Sequence, residues 1–131
     1  MVKIGVIGSR KMTEYGRRMV EKIMTELEGK AEVWTIECTG VNKCVADYGA
    51  KVLKGDNFYE LNHRIAIVCD ELIIVEAREK SGTILVAEEF LNLGKEVWCI
   101  PGRVDDINSS GCNMLIGMGA NILLDIKDVL N

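Results

Sequence analysis

Apolar positions along the chain fall into two alternating kinds of block: short continuous runs, and longer stretches with helical spacing. Val2 to Ile7 is such a run, the pattern of a strand buried on both faces. From about Thr13 to Leu27 the apolar positions Tyr15, Met19, Ile23 and Leu27 predict a helix, with Thr13 or Ser9 placed to cap it and Gly29 to stop it. Glu32 to Cys38 reads as a second strand. Asn42 to Leu53 has helix-forming composition, with Val41, Val45 and Val52 near one face and Gly55 as terminator. Phe58 to Val68 is helical, with Leu61, Ile65 and Val68 along a stripe. Glu71 to Glu76 is the clearest buried strand, and Ser81 caps a helix running to about Leu93 and closed by Gly94. Glu96 to Ile100 is a strand ended by Pro101-Gly102. A short helix from Cys112 to Met118, a short strand from Asn121 to Leu124 and a helical turn from Ile126 to Leu130 complete the chain.

About five strands alternating with helices predict an α/β fold: a doubly wound, mostly parallel sheet in a Rossmann-like three-layer α/β/α arrangement. The pattern leaves the strand order open. One proline, no low-complexity tract and no internal repeat predict one domain over residues 1–131. A hydrophobic content of 48% suits a sheet covered on both faces. No apolar stretch approaches the ~20 residues that cross a bilayer, and the chain begins as a strand rather than a secretory signal, so no membrane partner and a cytoplasmic location are expected.

The five cysteines are odd in number and none forms a Cys-x-x-Cys pair, which predicts reduced thiols rather than disulfides or zinc. With His63 as its single histidine the chain cannot build a multi-histidine centre; no metal and no cofactor are expected. A net charge of −4 argues against coating nucleic acid through the whole surface and makes any local convergence of basic groups informative.

Ligands in doubly wound sheets bind outside the carboxyl ends of the strands. Gly8-Ser9-Arg10 follows the first strand: a close backbone approach, a hydroxyl and a guanidinium beside a helix start suit a phosphate. The full Gly-x-Gly-x-x-Gly pattern is absent, which speaks against a nicotinamide or flavin site. Thr39 to Lys43 follows the second strand. After the next predicted strand, Lys80, Ser81, Gly82 and Thr83 open a helix and form a second anion seat. Pro101-Gly102-Arg103 and Asn62-His63-Arg64 add further basic groups. For each segment alone a turn with solvated charges is the better reading; several on one sheet edge of an acidic protein shift the reading toward phosphate.

The order Ile7-Gly8-Ser9-Arg10, Asn62-His63-Arg64-Ile65, Val75-Glu76-Ala77, Lys80-Ser81-Gly82-Thr83, Ile100-Pro101-Gly102 and Gly111-Cys112-Asn113-Met114 resembles the Rossmann-type domain of the DNA-processing protein A (DprA/Smf) family over nearly the whole chain. The resemblance implies single-stranded DNA binding in DNA processing and recombination, loading of a RecA-type recombinase, and a homodimer. It carries phosphate contact onto Ser9, Arg10, Arg64, Lys80, Ser81 and Gly82. The chain also departs from the family. Cys38-Thr39-Gly40-Val41-Asn42-Lys43 stands where the family shows Ser-Gly-x-Ala-Arg-Gly, leaving Lys43 as the nearby charge. Asn62-His63-Arg64 stands where the family shows Arg-Asn-Arg, and the segment between these blocks is short.

Three functions compete. The first is non-catalytic binding of single-stranded DNA through backbone phosphates at Gly8, Ser9, Arg10, Lys43, Arg64, Lys80, Ser81, Gly82 and Thr83. The second is binding or sensing of a small nucleotide at the same edge. The third is an enzyme, because Ser81-Gly82-Thr83 also resembles the Gly-Gly-x-Gly-Thr turn of nucleoside monophosphate phosphoribohydrolases. Their glutamate, two residues beyond the threonine, is replaced here by Leu85. Glu76 at a strand end suits either a general base or a loop-binding group, and Cys112 as a nucleophile lacks a partner. No catalytic residue is assigned.

Overall fold

A computed structural model describes residues 1–130. Six parallel strands form one sheet: β1 (Val2–Ile7), β2 (Ala31–Ile36), β3 (Lys51–Leu53), β4 (Glu71–Ile74), β5 (Glu96–Cys99) and β6 (Asn121–Ile122). Their spatial order is β3-β2-β1-β4-β5-β6, so the chain runs outward one way from β1 and then returns to add β4 on its other side. Helices α1 (Glu14–Leu27), α2 (Val41–Asp47), α3 (Phe58–Val68), α4 (Gly82–Asn92) and α5 (Ser110–Gly117) connect the strands.

Alternation on the central strands explains why the sheet is covered twice. Leu72 and Ile74 of β4 pack with Leu61, Ile65, Ala87 and Phe90 of α3 and α4. Ile73 and its neighbour Val75 pack on the other side with Val20, Ile23 and Leu27 of α1 and Val41 and Val45 of α2. Since both faces are apolar, these strands read as uninterrupted runs, and β1 and β4 stand where the sequence places them.

One element differs from the sequence reading. Residues 42–53 are not one helix: α2 ends at Asp47, Gly49 takes φ +102°, and Lys51–Leu53 pair with Trp34–Ile36 as β3. The strand count is therefore six rather than about five. A three-residue edge strand is too short to show a period of two, and its composition continued the helical pattern.

Candidate functional site

The carboxyl ends of β1 and β2, Gly55 and Asp56 after β3, and the segment after β4 surround a cleft of about 480 Å³. It opens at the junction of β1 and β4, where the strand order reverses, as the rule for doubly wound sheets requires. The first loop contributes Gly8, Ser9, Arg10 and Lys11, and the segment after β2 contributes Glu37 and Cys38. Phe58, Leu61 and Asn62 come from α3, and Arg78, Ser81, Gly82 and Thr83 from the segment that opens α4.

The first loop is held from below. The Gly8 N–H donates to Asn42 Oδ1 at 3.0 Å, and Asn42 Nδ2 donates to the Ile36 carbonyl at 3.0 Å. The Val41 N–H reaches the Ser9 carbonyl at 2.9 Å, bringing the loop after β2 onto the loop after β1. Gly40 takes φ +69°, and a Cβ there would lie 2.3 Å from the Ser9 oxygen, so only glycine permits the contact. At Gly8, which also lines the cleft, a Cβ would meet Val41 at 2.9 Å, so its small size serves packing between the loops. The Ser9 hydroxyl is mostly shielded and accepts from the Lys11 N–H at 3.1 Å.

Helix α1 does not begin at this loop. Thr13 is its N-cap, and the Thr13 hydroxyl accepts from the Gly16 N–H at 3.0 Å. Beneath it Glu76, 1% exposed, receives both the Thr13 N–H and the Thr13 hydroxyl at 2.7 Å, one on each carboxylate oxygen. A Cβ on Gly16 would lie 2.3 Å from that carboxylate. The positive end of α1 is thus occupied by an internal anion.

At α4 the opposite holds. Ser81 sits at the N-cap but makes no capping bond to the helix; its hydroxyl donates back to the Arg78 carbonyl at 2.9 Å. The first turn carries no acidic residue. The N–H groups at the start of α4 therefore lie beside the cleft without a side-chain acceptor, the arrangement that receives phosphate at helix starts.

The structure divides the basic residues. Arg10, Lys11 and Arg78 line the cleft, and Arg78 Nε donates to Asn108 Oδ1 at 3.1 Å. Arg64 and Lys80 are exposed and lie outside the cleft lining, Arg64 on α3 and Lys80 immediately before Ser81. Among the described residues, no carboxylate lies within 4.0 Å of the cationic groups of Arg10, Lys11, Arg64, Arg78 or Lys80. Lys43 departs from the group: it stands on α2, ion-paired to Asp47 at 3.0 Å, and does not line the cleft.

Asn62 is the residue that the sequence reading undervalued. It stands where the family resemblance expects an arginine, and it lines the cleft at 1% exposure with an Oδ1 that has no hydrogen-bond partner. The available signal was its place beside Leu61 on the inward stripe of α3, where an asparagine must find a partner.

Two of the buried cysteines are poor nucleophiles. A hydrogen bond with Cys99, together with burial, pushes the Cys112 thiol far up, and burial pushes Cys69 up to about 12. The five thiols are free. Asn113 fixes the loop after β5, bonding both the N–H and the carbonyl of Gly102 at 3.1 Å.

Residues 44–131 match the family model of the DNA recombination-mediator protein A. The chain belongs to this family. Over 98% of its length it is 27% identical to DNA processing protein DprA of Streptococcus pneumoniae, of which it covers 60%. Over 56% of its length it is 31% identical to Protein Smf of Escherichia coli, of which it covers 20%. The X-ray structure of the Streptococcus DprA superposes with a TM-score of 0.84 at 26% identity, covering 99% of this chain and 61% of that one. DNA processing protein A from Helicobacter pylori, described in terms of its single-stranded DNA binding mode, shares the fold with a TM-score of 0.77 at 20% identity. It is matched over 99% of this chain and 79% of its own. The chain thus spans about 60% of the Streptococcus relative. Their alignment runs over 171 positions against 131 residues, so part of that DprA has no counterpart here.

Proposed function

We propose that this chain binds single-stranded DNA, without catalysis, through backbone phosphates at the carboxyl edge of its sheet. The observation that carries the reading is the uncapped start of α4 at Gly82 and Thr83, opening on a cleft bordered by Arg10, Lys11 and Arg78. Lys80 precedes that start, and Arg64 adds charge from α3. Membership of the DprA family and the DNA-binding description of the Helicobacter relative point the same way. A net charge of −4 confines the attraction to this edge, so binding is local and salt-sensitive. The family also implies a homodimer and hand-over of the strand to a RecA-type recombinase, and both belong to the proposal.

A small nucleotide is the second reading, favoured by the size of the cleft: 480 Å³ falls within the range of about 300–1,000 Å³ typical of small-molecule sites. Fluorescence anisotropy of a labelled single-stranded oligonucleotide, titrated at low and physiological salt with mononucleotides as competitors, separates the two. The DNA reading expects saturable binding that weakens with salt and resists mononucleotides. Arg10→Ala and Lys80→Ala should each weaken it, lowering the salt slope by about 0.7 per lost phosphate contact. Displacement by equimolar mononucleotide would transfer the site to the second reading, and unchanged binding in both variants would overturn the site.

A further inference from the structure

We infer that a second pocket, between α1 and the C-terminal turn Ile126–Asp128, docks an acidic segment of a partner protein. One large apolar side chain of that segment fills the pocket, and its carboxylates meet Arg18 and Lys22. The inference is independent of the DNA reading: α1 and this turn pack on the face of the sheet opposite α3 and α4.

The pocket measures about 170 Å³. Ile23, Ile100, Leu123 and Ile126, all buried, form its inner lining, and Met19 and Leu124 its outer part. Leu124 is 71% exposed, so the apolar surface continues past the rim. The Tyr15 hydroxyl donates to the Pro101 carbonyl at 2.7 Å, which fixes the ring as one edge and joins α1 to the loop after β5. Size selects the occupant. Small-molecule sites run from about 300 to 1,000 Å³, whereas this volume suits a single side chain, as an anchor residue fills a pocket at a protein interface. Chemistry speaks against a DNA base. The inner lining is aliphatic and the Tyr15 hydroxyl is already spent, so the polar edge of a base would be buried without a partner.

Charge describes the rest of the ligand. Tyr15, Arg18, Met19 and Lys22 are spaced at i, i+3, i+4 and i+7 on α1 and share a face. Arg17, turned away from that face, takes both Glu14 at 2.6 Å and Glu21 at 3.4 Å. Arg18 and Lys22 are left unmatched: among the described residues neither has a carboxylate within 4.0 Å. The Arg18 guanidinium lies 6.0 Å from the centre of the Tyr15 ring, which holds its charge at the pocket edge. Lys22 lines the pocket itself. Asp125, between the lining residues Leu124 and Ile126, accepts from the Lys127 N–H at 3.0 Å. Two free cations beside an apolar hole, on a chain of net charge −4, complement a segment with Asp or Glu around a Phe or Leu.

Amide NMR of the isotope-labelled protein, titrated with the end-capped peptide Gly-Asp-Asp-Phe-Asp-Asp-Gly, tests the proposal. Saturable shifts centred on residues 19–23 and 123–126 are expected. Replacing the peptide's Phe by Ala should weaken binding about tenfold, the scale of one anchor residue. Replacing its Asp residues by Asn should weaken it about threefold to tenfold and remove its salt dependence. Lys22→Glu and Leu124→Asp, both at exposed positions, should each weaken binding about tenfold with little change in the unfolding midpoint. No shifts at these residues with millimolar peptide would overturn the site. Shifts centred on residues 8–11 instead would put the peptide in the cleft and overturn it equally. Undiminished binding by the Phe-to-Ala peptide would overturn the anchor, and undiminished binding by both protein variants the pocket. Displacement of the peptide by a single-stranded 12-mer would give Arg18 and Lys22 to DNA and overturn the protein partner.

Discussion

Helices α1 and α4 both follow a strand that ends at the same edge of the sheet, and both present their positive ends there. Yet Glu76 occupies the first, accepting two hydrogen bonds from Thr13 at 2.7 Å, whereas the first turn of the second carries no acidic residue and no side-chain cap. Two equivalent pieces of a doubly wound fold thus take opposite roles. At α1 the helix start is closed by the protein's own anion, so it anchors the loop that carries Arg10. At α4 the helix start carries no such acceptor of its own. A phosphate site at such an edge is therefore identified less by the presence of a helix start than by the absence of an internal carboxylate at it.

The largest expected effect tests the closed end. Glu76→Ala leaves the half-buried Thr13 N–H and hydroxyl without their acceptors and removes the charge from the α1 terminus. Two charge-assisted bonds of this kind make a loss of roughly 3 kcal/mol, or more, in urea unfolding the expected result. Glu76→Gln, which retains an acceptor, should cost less. In the fraction that remains folded, affinity for single-stranded DNA should change little, because Glu76 faces Thr13 rather than the cleft. A strong loss of binding with little loss of stability would reverse the assignment and make α1 the ligand-bearing end.

Next in size is the complementary change at the open end. Ser81→Asp places a carboxylate where α4 has none. As an N-cap it should hold the thermal midpoint at or above the parent's, with a gain of up to about 1 kcal/mol. The same carboxylate competes for the N–H groups and repels phosphate, so DNA affinity should fall about tenfold or more. Stability and binding would then move in opposite directions, which a simple folding defect cannot produce. Unchanged affinity in anisotropy would show that the strand does not touch the start of α4.

The contrast between the two ends also shows how much the sequence could reveal. Val2–Ile7 and Glu71–Ile74 were legible because a parallel strand covered on both faces leaves a continuous apolar run. Phe58–Val68 was legible to the residue, since its stripe and its flanking polar residues agree. The cleft-lining segments Gly8-Ser9-Arg10 and Ser81-Gly82-Thr83 followed from one rule, that ligands sit past the carboxyl ends of strands. What escaped depended on long-range pairing. Thr13 and Glu76 are 63 positions apart, and no local pattern joins them. Lys51–Leu53 became a strand through pairing with β2, not through its own composition. Asn62 reads in the sequence as a missing charge, because only the packing of α3 against the sheet places it at the cleft wall.

The smallest expected effect marks the boundary of the site. Lys43 belongs to the segment where the family resemblance expects an arginine, but its ammonium is ion-paired with Asp47 at 3.0 Å on the exposed face of α2. Such a pair is weak in water, so Lys43→Ala should leave the unfolding midpoint nearly unchanged. Because Lys43 lies off the cleft and its charge is already matched, DNA affinity should shift less than about twofold, with a salt slope equal to the parent's. Arg10→Ala, measured alongside, provides the scale of the proposed phosphate contact. Should Lys43→Ala lower both affinity and slope as far as Arg10→Ala does, the strand must leave the cleft and cross α2. The interface would then be a track along the sheet edge, with the start of α4 as one contact among several.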